Sequence, residues 1–312
     1  MNDLLHSLIF GIAQGSIYAL IALSFVVIFR ATGVLNFAQP ALMILGAFAT
    51  SVFAVDLGLN YFIALVLAMI VIALLSMGIE RVAIRPMVGQ STFSAALITV
   101  GIFIALYVIS TRLFDSKPRT VNDPWGISAL CLGGNLKEEW GFVSCEGGLI
   151  IYWHSIGKIV LAAFVIAALF FWLARSKYGL AMRATSMDQE TALAQGINVG
   201  GMFSTSWGIS GAIVALAGGL FAANGSVIQS TDALFALVAL PALVLGGLDS
   251  LKGAVIGGLT IGILMNLTKT YQTAIAPWLG LNFENVVPYI VMIIVLLIRP
   301  YGLFGTKEVQ RV

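Results

Sequence analysis

Residues 175–199 read Arg175-Ser-Lys177-Tyr-Gly-Leu-Ala-Met-Arg183-Ala-Thr-Ser-Met-Asp188-Gln-Glu190-Thr-Ala192-Leu-Ala-Gln-Gly196-Ile-Asn-Val199. This is the longest polar stretch of the C-terminal half, and a long apolar run flanks it on each side. It opens on three cations, Arg175, Lys177 and Arg183, and then predicts one short helix. Asp188 and Glu190 fall near the start of that helix, alanines fill its middle, and Gly196 ends it before Ile197-Asn198-Val199 leads out. A polar helix held between two apolar runs is a connector at one surface of a membrane protein. Its side of the membrane fixes how the rest of the chain threads.

Composition agrees with that reading. Mean hydropathy is +1.01, with 60% hydrophobic and 10% charged residues, whereas soluble domains carry about 25% charged residues. The charges are segregated, leaving apolar runs long enough for spans of roughly 20 residues each. A net charge of +2, with cations at span ends, gives no basic patch for nucleic acid. The first apolar run begins at Leu4 with no basic segment before it. It runs to Phe29, too long for a removable signal, and is expected to be a retained span.

In chain order, the first span covers 4–29 and carries Gly11, Gly15 and Ala19 at four-residue spacing, a face suited to close helix approach. A short connector leads to Asn36-Phe37-Ala38-Gln39-Pro40 and a second segment ending near Val55. Pro40 either kinks this helix or sits in its first turn. Irregular backbone at membrane depth lines a cavity or is buried in protein, which makes residues 36–39 a candidate pathway element. The third and fourth spans cover 61–79 and 92–110, separated by Glu80-Arg81-Val82-Ala83-Ile84-Arg85-Pro86. Residues 112–155 form the largest polar segment, read as a small ordered cap containing both cysteines, Cys131 and Cys145. A disulfide between them is expected if the cap faces an oxidising compartment. No His, Asp or Glu cluster joins them at metal-ligand spacing, so no metal site is expected.

The fifth span, 156–174, delivers the chain to the opening stretch. After it come a span over 202–224 with Ser204, Thr205, Ser206, Trp207 and Ser210 in its first turns, and an apolar run containing Pro241. That run ends at Gly246-Gly247. The following helix carries Gly253, Gly257, Gly258 and Gly262, a strong packing signal expected to serve assembly. The last span is 286–298, stopped by Arg299-Pro300. Pro40–Gly46 echoes Pro241–Gly246, a weak internal repeat of the kind that opposed transporter halves show.

Charge orients the chain. If residues 175–199 are cytoplasmic and each segment crosses once, Arg30, Arg81, Arg85, Arg175, Lys177, Arg183, Lys252, Arg299, Lys307 and Arg311 all fall inside. The outer side takes Asp3, Asp56, Asp115, Asp123, Glu138, Glu139, Glu146, Asp232 and Glu284. This is the positive-inside pattern. The N-terminus is then outside and the C-terminus cytoplasmic, with nine crossings, or eight if one kinked segment is re-entrant.

The chemistry expected of an enzyme or ion-coupled pump is missing from the sequence. No span holds an acid, or an acid–base pair, near its centre. There is no Gly-x-x-x-x-Gly-Lys-Ser/Thr pattern for ATP, and His6 and His154 are given no catalytic or metal-binding role. A path without charge suits a neutral or zwitterionic solute, driven by energy from elsewhere.

The motifs taken together resemble one family. Glu190-Thr-Ala192-Leu-Ala-Gln-Gly196 resembles the EAA loop of ABC-importer permeases, the coupling helix that docks into a cytoplasmic ATPase. Asn36-Phe37-Ala38-Gln39 with Gly46-Ala47 resembles the Asn-Phe-Ala-His/Gln segment of branched-chain amino-acid ABC permeases. The 80–86 turn, the 178–184 run, Leu245-Gly246-Gly247-Leu248 with the glycine helix, and Pro300-Tyr-Gly302-Leu-Phe-Gly305 are similar to further motifs of that family, in the same order. The departures are the Cys131/Cys145 segment, which none of these motifs covers, and Pro40, where the family often has glycine.

The resemblance implies an all-α integral membrane protein of about eight or nine spans with broken or re-entrant helices, forming a single permease domain over 1–312. Residues 112–155 would be an extracytoplasmic cap and 175–200 a cytoplasmic coupling loop, in the plasma membrane of a prokaryote. It further implies a second homologous permease, two cytoplasmic ATPases carrying ATP and magnesium, and an extracytoplasmic solute-binding protein. Arg183, Asp188, Glu190, Ala192 and Gly196 would serve coupling, and Asn36, Phe37, Gln39, Gly246 and Gly247 the pathway or gate. The chain itself would hold no cofactor and catalyse nothing. Related systems carry urea or amides. The alternative from another class is an ATP-independent channel for a small neutral solute.

Overall fold

The structure, a computed structural model, describes residues 2–87, 91–114, 118–121, 123–126, 129–139, 142–146, 148–187, 189–223 and 227–306. For residues 2, 136–139, 142–144, 146, 186–187 and 189–190 the backbone alone is described. Asp115, Asp188, Lys307 and Arg311 therefore lie outside the described residues.

Among those residues, seven helices are long and apolar enough to cross a membrane. They are α1 (Asn2–Thr32), α2 (Gln39–Ser51, extended by a π-helical turn over Val52–Asp56), α3 (Tyr61–Ile79), α4 (Thr92–Phe114), α5 (Trp153–Arg175), α8 (Val199–Ala222) and α10 (Leu251–Ile275). The polar stretch between α5 and α8 holds α6 (Lys177–Met187) and α7 (Gln189–Ala194). Two further apolar segments are shorter. Ser230–Gly246 joins a 3-10 helix to α9 (Ala239–Gly246), and Phe283–Ile298 ends in α11 (Val287–Ile298). The expected nine segments are present, two of them short or broken.

Helices sort into an inner and an outer set. α1 and α8 have 83% and 78% of their apolar windows buried, whereas α4 and α5 have 11% and 22%. Such all-round apolar helices need lipid or protein on every side. Inner helices meet through small residues. A Cβ added at Gly11 would come within 2.7 Å of Ile263 Cα, and one at Gly15 within 2.9 Å of Leu259 Cα. Gly258 and Gly262 answer from α10, abutting the backbone at Ala19 and Gly15. Gly253 and Gly257 abut Gly246 and Ala242 of α9. The glycine face expected to serve assembly is thus filled within the chain, by α1 on one side and α9 on the other. Spacing alone shows that a helix will be approached closely, not by which partner.

The cap over 112–155 contains a β hairpin that the all-α reading did not include. β1 (Ala129–Leu132) pairs antiparallel with β4 (Leu149–Tyr152), and β2 (Asn135–Glu139) with β3 (Phe142–Glu146). The ladder is interrupted after Leu132, where Gly133 takes φ +78°. Cys131 lies opposite Ile150 and Cys145 opposite Leu136. Their disulfide, with Cα atoms 5.6 Å apart, ties the two arms diagonally across the interruption.

Pro40 sits in the first turn of α2, so it starts that helix rather than kinking it. Pro241 is the third residue of α9, which continues from the 3-10 helix over Ser230–Val238. Each segment presses a glycine to a neighbouring helix, Gly46 within α2 on Ala215 and Gly246 at the end of α9 on Gly253.

Gly262→Val is expected to destabilise the chain itself by about 3 kcal/mol or more, because the clash is with backbone that cannot move aside. Gly101→Val on open-faced α4 should leave the thermal melt nearly unchanged. Melting in detergent, with and without partner subunits, separates a folding defect from an assembly defect.

Candidate translocation and coupling site

The candidate coupling segment begins at a tight elbow. Ser176 ends α5 in an extended conformation, and its hydroxyl accepts from Gly179 N at 3.0 Å. The same residue therefore caps the start of α6. A Cβ at Gly179 would overlap Leu173 O. Helix begins at Lys177, several residues before the acidic positions where the sequence places its start, because this cap opens α6 there.

Tyr178 fastens the elbow to the bundle. Its ring stacks on Trp172 at 5.0 Å. Its hydroxyl meets Ser206 Oγ at 2.8 Å and Met202 O at 3.0 Å, and accepts from Thr205 Oγ1 at 2.7 Å. Burial raises the Tyr178 pKa above the usual phenol range, and the bonds from Ser206 and Thr205 oppose that shift.

Met182, Thr185 and Ala192 turn inward and are buried, while Arg183, Leu180 and Leu193 are exposed. α7 ends in a Schellman turn. Ile197 N donates to Ala192 O, Gly196 N to Leu193 O, and Gly196 takes φ +80°. Asn198 then caps α8 by accepting from Gly201 N at 2.9 Å. The Glu190 side chain and all of Asp188 fall outside the described atoms.

The candidate gate lies deeper. Asn36 Oδ1 accepts from Ala38 N at 3.0 Å, closing an Asx turn, and Phe37 N donates to Thr99 Oγ1 at 3.0 Å. Asn36 and Gln39 are fully buried. Ser210 Oγ donates to Ser24 O at 2.8 Å, so it must accept from the Gln39 side-chain amide, Nε2. That assignment leaves Gln39 Oε1 unpaired. Asn36 Nδ2, Ser76 Oγ and Trp207 Nε1 are also buried without a hydrogen-bond partner among the described residues. Ser76 packs against Gly211, next to Ser210 on α8. Uncompensated buried polar atoms cost roughly 1–3 kcal/mol each, so their number near one stretch of α8 calls for a functional reading.

Gly246 and Gly247 do not join this cluster. Gly247 caps α9 at φ +104°, and a Cβ there would lie 2.5 Å from Gly305 N. Leu303 N donates to Leu245 O and Phe304 N to Gly246 O. The Leu-Gly-Gly turn and the C-terminal Pro-x-Gly-Leu-x-Gly stretch are thus one docked unit. The side chain of Asp249 completes it by accepting from Thr306 N at 3.3 Å. Glycine in both motifs serves close backbone approach.

Residues that sequence reasoning left without a role connect the two places. Ser206 holds Tyr178, and Ser210, one turn further along the same face of α8, holds Gln39. Arg85 adds a clamp. It pairs with fully buried Glu80 at 3.1 and 3.2 Å and donates to Gly200 O at 2.9 Å. The serine-rich start of this span was visible in the sequence; its division into two bonding positions was not.

A polytopic helical bundle with a polar segment at one end and an uncharged polar locus within is compatible with a solute permease. The family described as "Branched-chain amino acid transport system / permease component" matches residues 7–296. The chain belongs to this family, and it is a multi-pass membrane protein. It is 30% identical over 317 residues to the high-affinity branched-chain amino acid transport system permease protein BraD of Pseudomonas aeruginosa, covering 99% of this chain and 98% of BraD. It is 29% identical over 315 residues to LivH of Escherichia coli, also described as a high-affinity branched-chain amino acid permease, covering 97% of this chain and 96% of LivH. Among solved structures, PsaBC from Streptococcus pneumoniae in complex with Fab is similar at 14% identity and TM-score 0.46, covering 96% of this chain and 91% of that one.

Two substitutions test the geometry. Arg85→Met should cost about 3 kcal/mol, since it strands a buried carboxylate, and Glu80→Gln in the same chain should restore most of that loss in the thermal melt. Tyr178→Phe keeps the stack on Trp172 but loses the bonds to α8. It is expected to lower uptake while the melt falls by only about 1 kcal/mol.

Proposed function

We propose that the chain is the membrane-spanning permease subunit of an ATP-driven importer for branched-chain or related neutral amino acids, non-catalytic in itself. Membership of the permease family supports the class, and the names of BraD and LivH support the solute. The single structural observation behind the mechanism is the pair of bonds one turn apart on α8, Tyr178–Ser206 and Gln39–Ser210.

In this reading α6 and α7 face the cytoplasm, with the C-terminus inside and the N-terminus and disulfide hairpin outside. Two cytoplasmic ATPases, which bind ATP and magnesium, dock on the segment carrying Arg183, Asp188, Glu190 and the helix end at Gly196. The exposed leucines at 180 and 193 give that polar surface the apolar anchors a docking groove would cover. Closure of the ATPases moves α6, Tyr178 carries the movement to α8, and Ser210 releases or re-forms its bond to Gln39. Asn36, Phe37 and Gln39 then belong to the gate, and the unpaired amide groups at 36 and 39 provide sites for a passing zwitterion. A second homologous permease and an extracytoplasmic binding protein complete the assembly.

Purification from native membranes through a C-terminal tag, with partners identified by mass spectrometry, should recover Walker-motif ATPases and a second permease. A lone homo-oligomer that conducts solute in liposomes without ATP would instead establish a channel. Within the importer, Glu190→Lys should lower uptake about tenfold, equivalent to losing ~1.4 kcal/mol at the docking contact, at unchanged membrane levels. Equal uptake at equal levels would remove Glu190 from the docking surface.

A further inference from the structure

A second polar site lies at the hairpin end of the bundle. Lys158 stands on the second turn of α5 and is 7% exposed. Its side chain faces a cavity of about 240 Å3 lined by Phe10, Gln14, Ile17, His154, Phe221 and Phe235, among others. At liquid density that volume holds about eight waters, the size of one small amino acid. An ammonium offers three donors and no acceptor, and no hydrogen bond to it occurs among the described residues.

The charged groups around Lys158 do not discharge it. Asp123 is its electrostatic neighbour, but that carboxylate is already engaged. Asp123 Oδ2 lies 3.4 Å from His154 Nδ1, and Oδ1 accepts from Trp125 N at 2.9 Å. A buried cation without a close partner costs several kcal/mol, and within a membrane span it marks a functional place. The opposite wall is apolar and aromatic. Phe235 lies 4.7 Å from Phe221 and stacks on Tyr18 at 4.7 Å. Gln14 bridges Tyr18 OH and Asn266 Nδ2, and retains one N–H and one carbonyl lone pair.

We infer that this cavity is a transit site for the amino acid, its carboxylate on Lys158, its aliphatic side chain against Phe221 and Phe235, and its ammonium toward Gln14. The inference rests on the permease reading above and places the solute at a residue that no family motif quoted above includes. A carboxylate supplies the acceptor that Lys158 lacks, and the aromatic wall favours an apolar side chain over a polar one. A neutral amide in place of the carboxylate can accept one hydrogen bond from the ammonium but leaves its charge uncompensated.

The test uses the purified transporter complex in detergent without the binding protein. Saturation-transfer NMR would be recorded with leucine, 4-methylpentanoate and leucinamide. Leucine and 4-methylpentanoate should give methyl signals that compete with each other, and leucinamide should bind about tenfold more weakly, because its neutral amide leaves the ammonium without an opposite charge. Lys158→Met should lose the leucine signal and Lys158→Arg should keep it. Equal signals for leucine and leucinamide, or an unchanged signal in Lys158→Met, would overturn the site. Binding of 4-methylpentanoate alone would make it a site for simple carboxylates and overturn the amino-acid assignment.

Should Lys158→Met fail to accumulate, protection of Lys158 from amine acylation in the unaltered complex decides. Leucine should slow the reaction and leucinamide should not; equal rates would sink the proposal. ATP-driven leucine uptake by the same complex in liposomes separates the two levels. Uptake without leucine binding at Lys158 removes only the site, whereas absence of any amino-acid uptake removes the permease reading and the site together.

Discussion

The hydroxyl of Ser210 is the point on which the inner bundle depends. It donates to Ser24 O on α1 and accepts from the side chain of Gln39 at the head of α2, joining three helices in the middle of an apolar core. In hydrocarbon no water stands by to take over a lost partner, so each backbone or side-chain polar group must be met within the protein. In the stretch over 33–38, Asn36 Oδ1 meets Ala38 N and Thr99 Oγ1 meets Phe37 N, while Asn36 Nδ2 is left without a partner among the described residues. Ser210 is what holds that stretch against α8.

Such contacts require α8 to be approached from several sides, and its glycines permit this. A Cβ at Gly218 would overlap Met43 O of α2, and one at Gly211 would lie 2.7 Å from Ser76 Cβ of α3. Between helices in lipid there is no hydrophobic gain from association, so close packing and hydrogen bonds provide the attraction. The same glycines therefore both admit the neighbours and set how near the serines come to them. Glycine and serine on α8 act as one device, the first fixing distance and the second fixing register.

What the sequence disclosed follows from which properties are local. Apolar runs between charged connectors gave the spans, and Gly196 after an alanine-rich turn gave the end of α7, because a left-handed residue at that place is a local requirement. Gly246 and Gly247 were read as pathway because a paired glycine in an apolar run leaves its partner unnamed; that partner, residues 302–305, lies over 50 positions away. The hairpin over 129–152 is hard to read because its strands are four or five residues long, and β2 and β3 mix charge with apolar groups. Lys158 escaped for a related reason. A lysine one turn into a span reads as a snorkelling end residue, and only the packing of α5 on α1 turns it inward.

The anchors on α8 also limit how it can move. Arg85 holds Gly200 O, Asn198 caps the first turn, and Tyr178 grips Met202 O and Ser206. A slide of α8 along its axis would break the bonds from Arg85 and Tyr178 at once and leave the buried Glu80 carboxylate beside a clamp that no longer reaches the helix. A tilt about the 198–202 end keeps them and moves the far positions most. Ser210, eight residues beyond Met202, stands about 12 Å along the helix at 1.5 Å per residue. A small rotation at the elbow therefore becomes a displacement large enough to change one hydrogen bond at Gln39, while the bonds nearest the pivot hardly stretch. Gln39 Oε1, left without a partner, lies where the lever arm is long, and the bonds of Tyr178 and Arg85 lie at its fixed end.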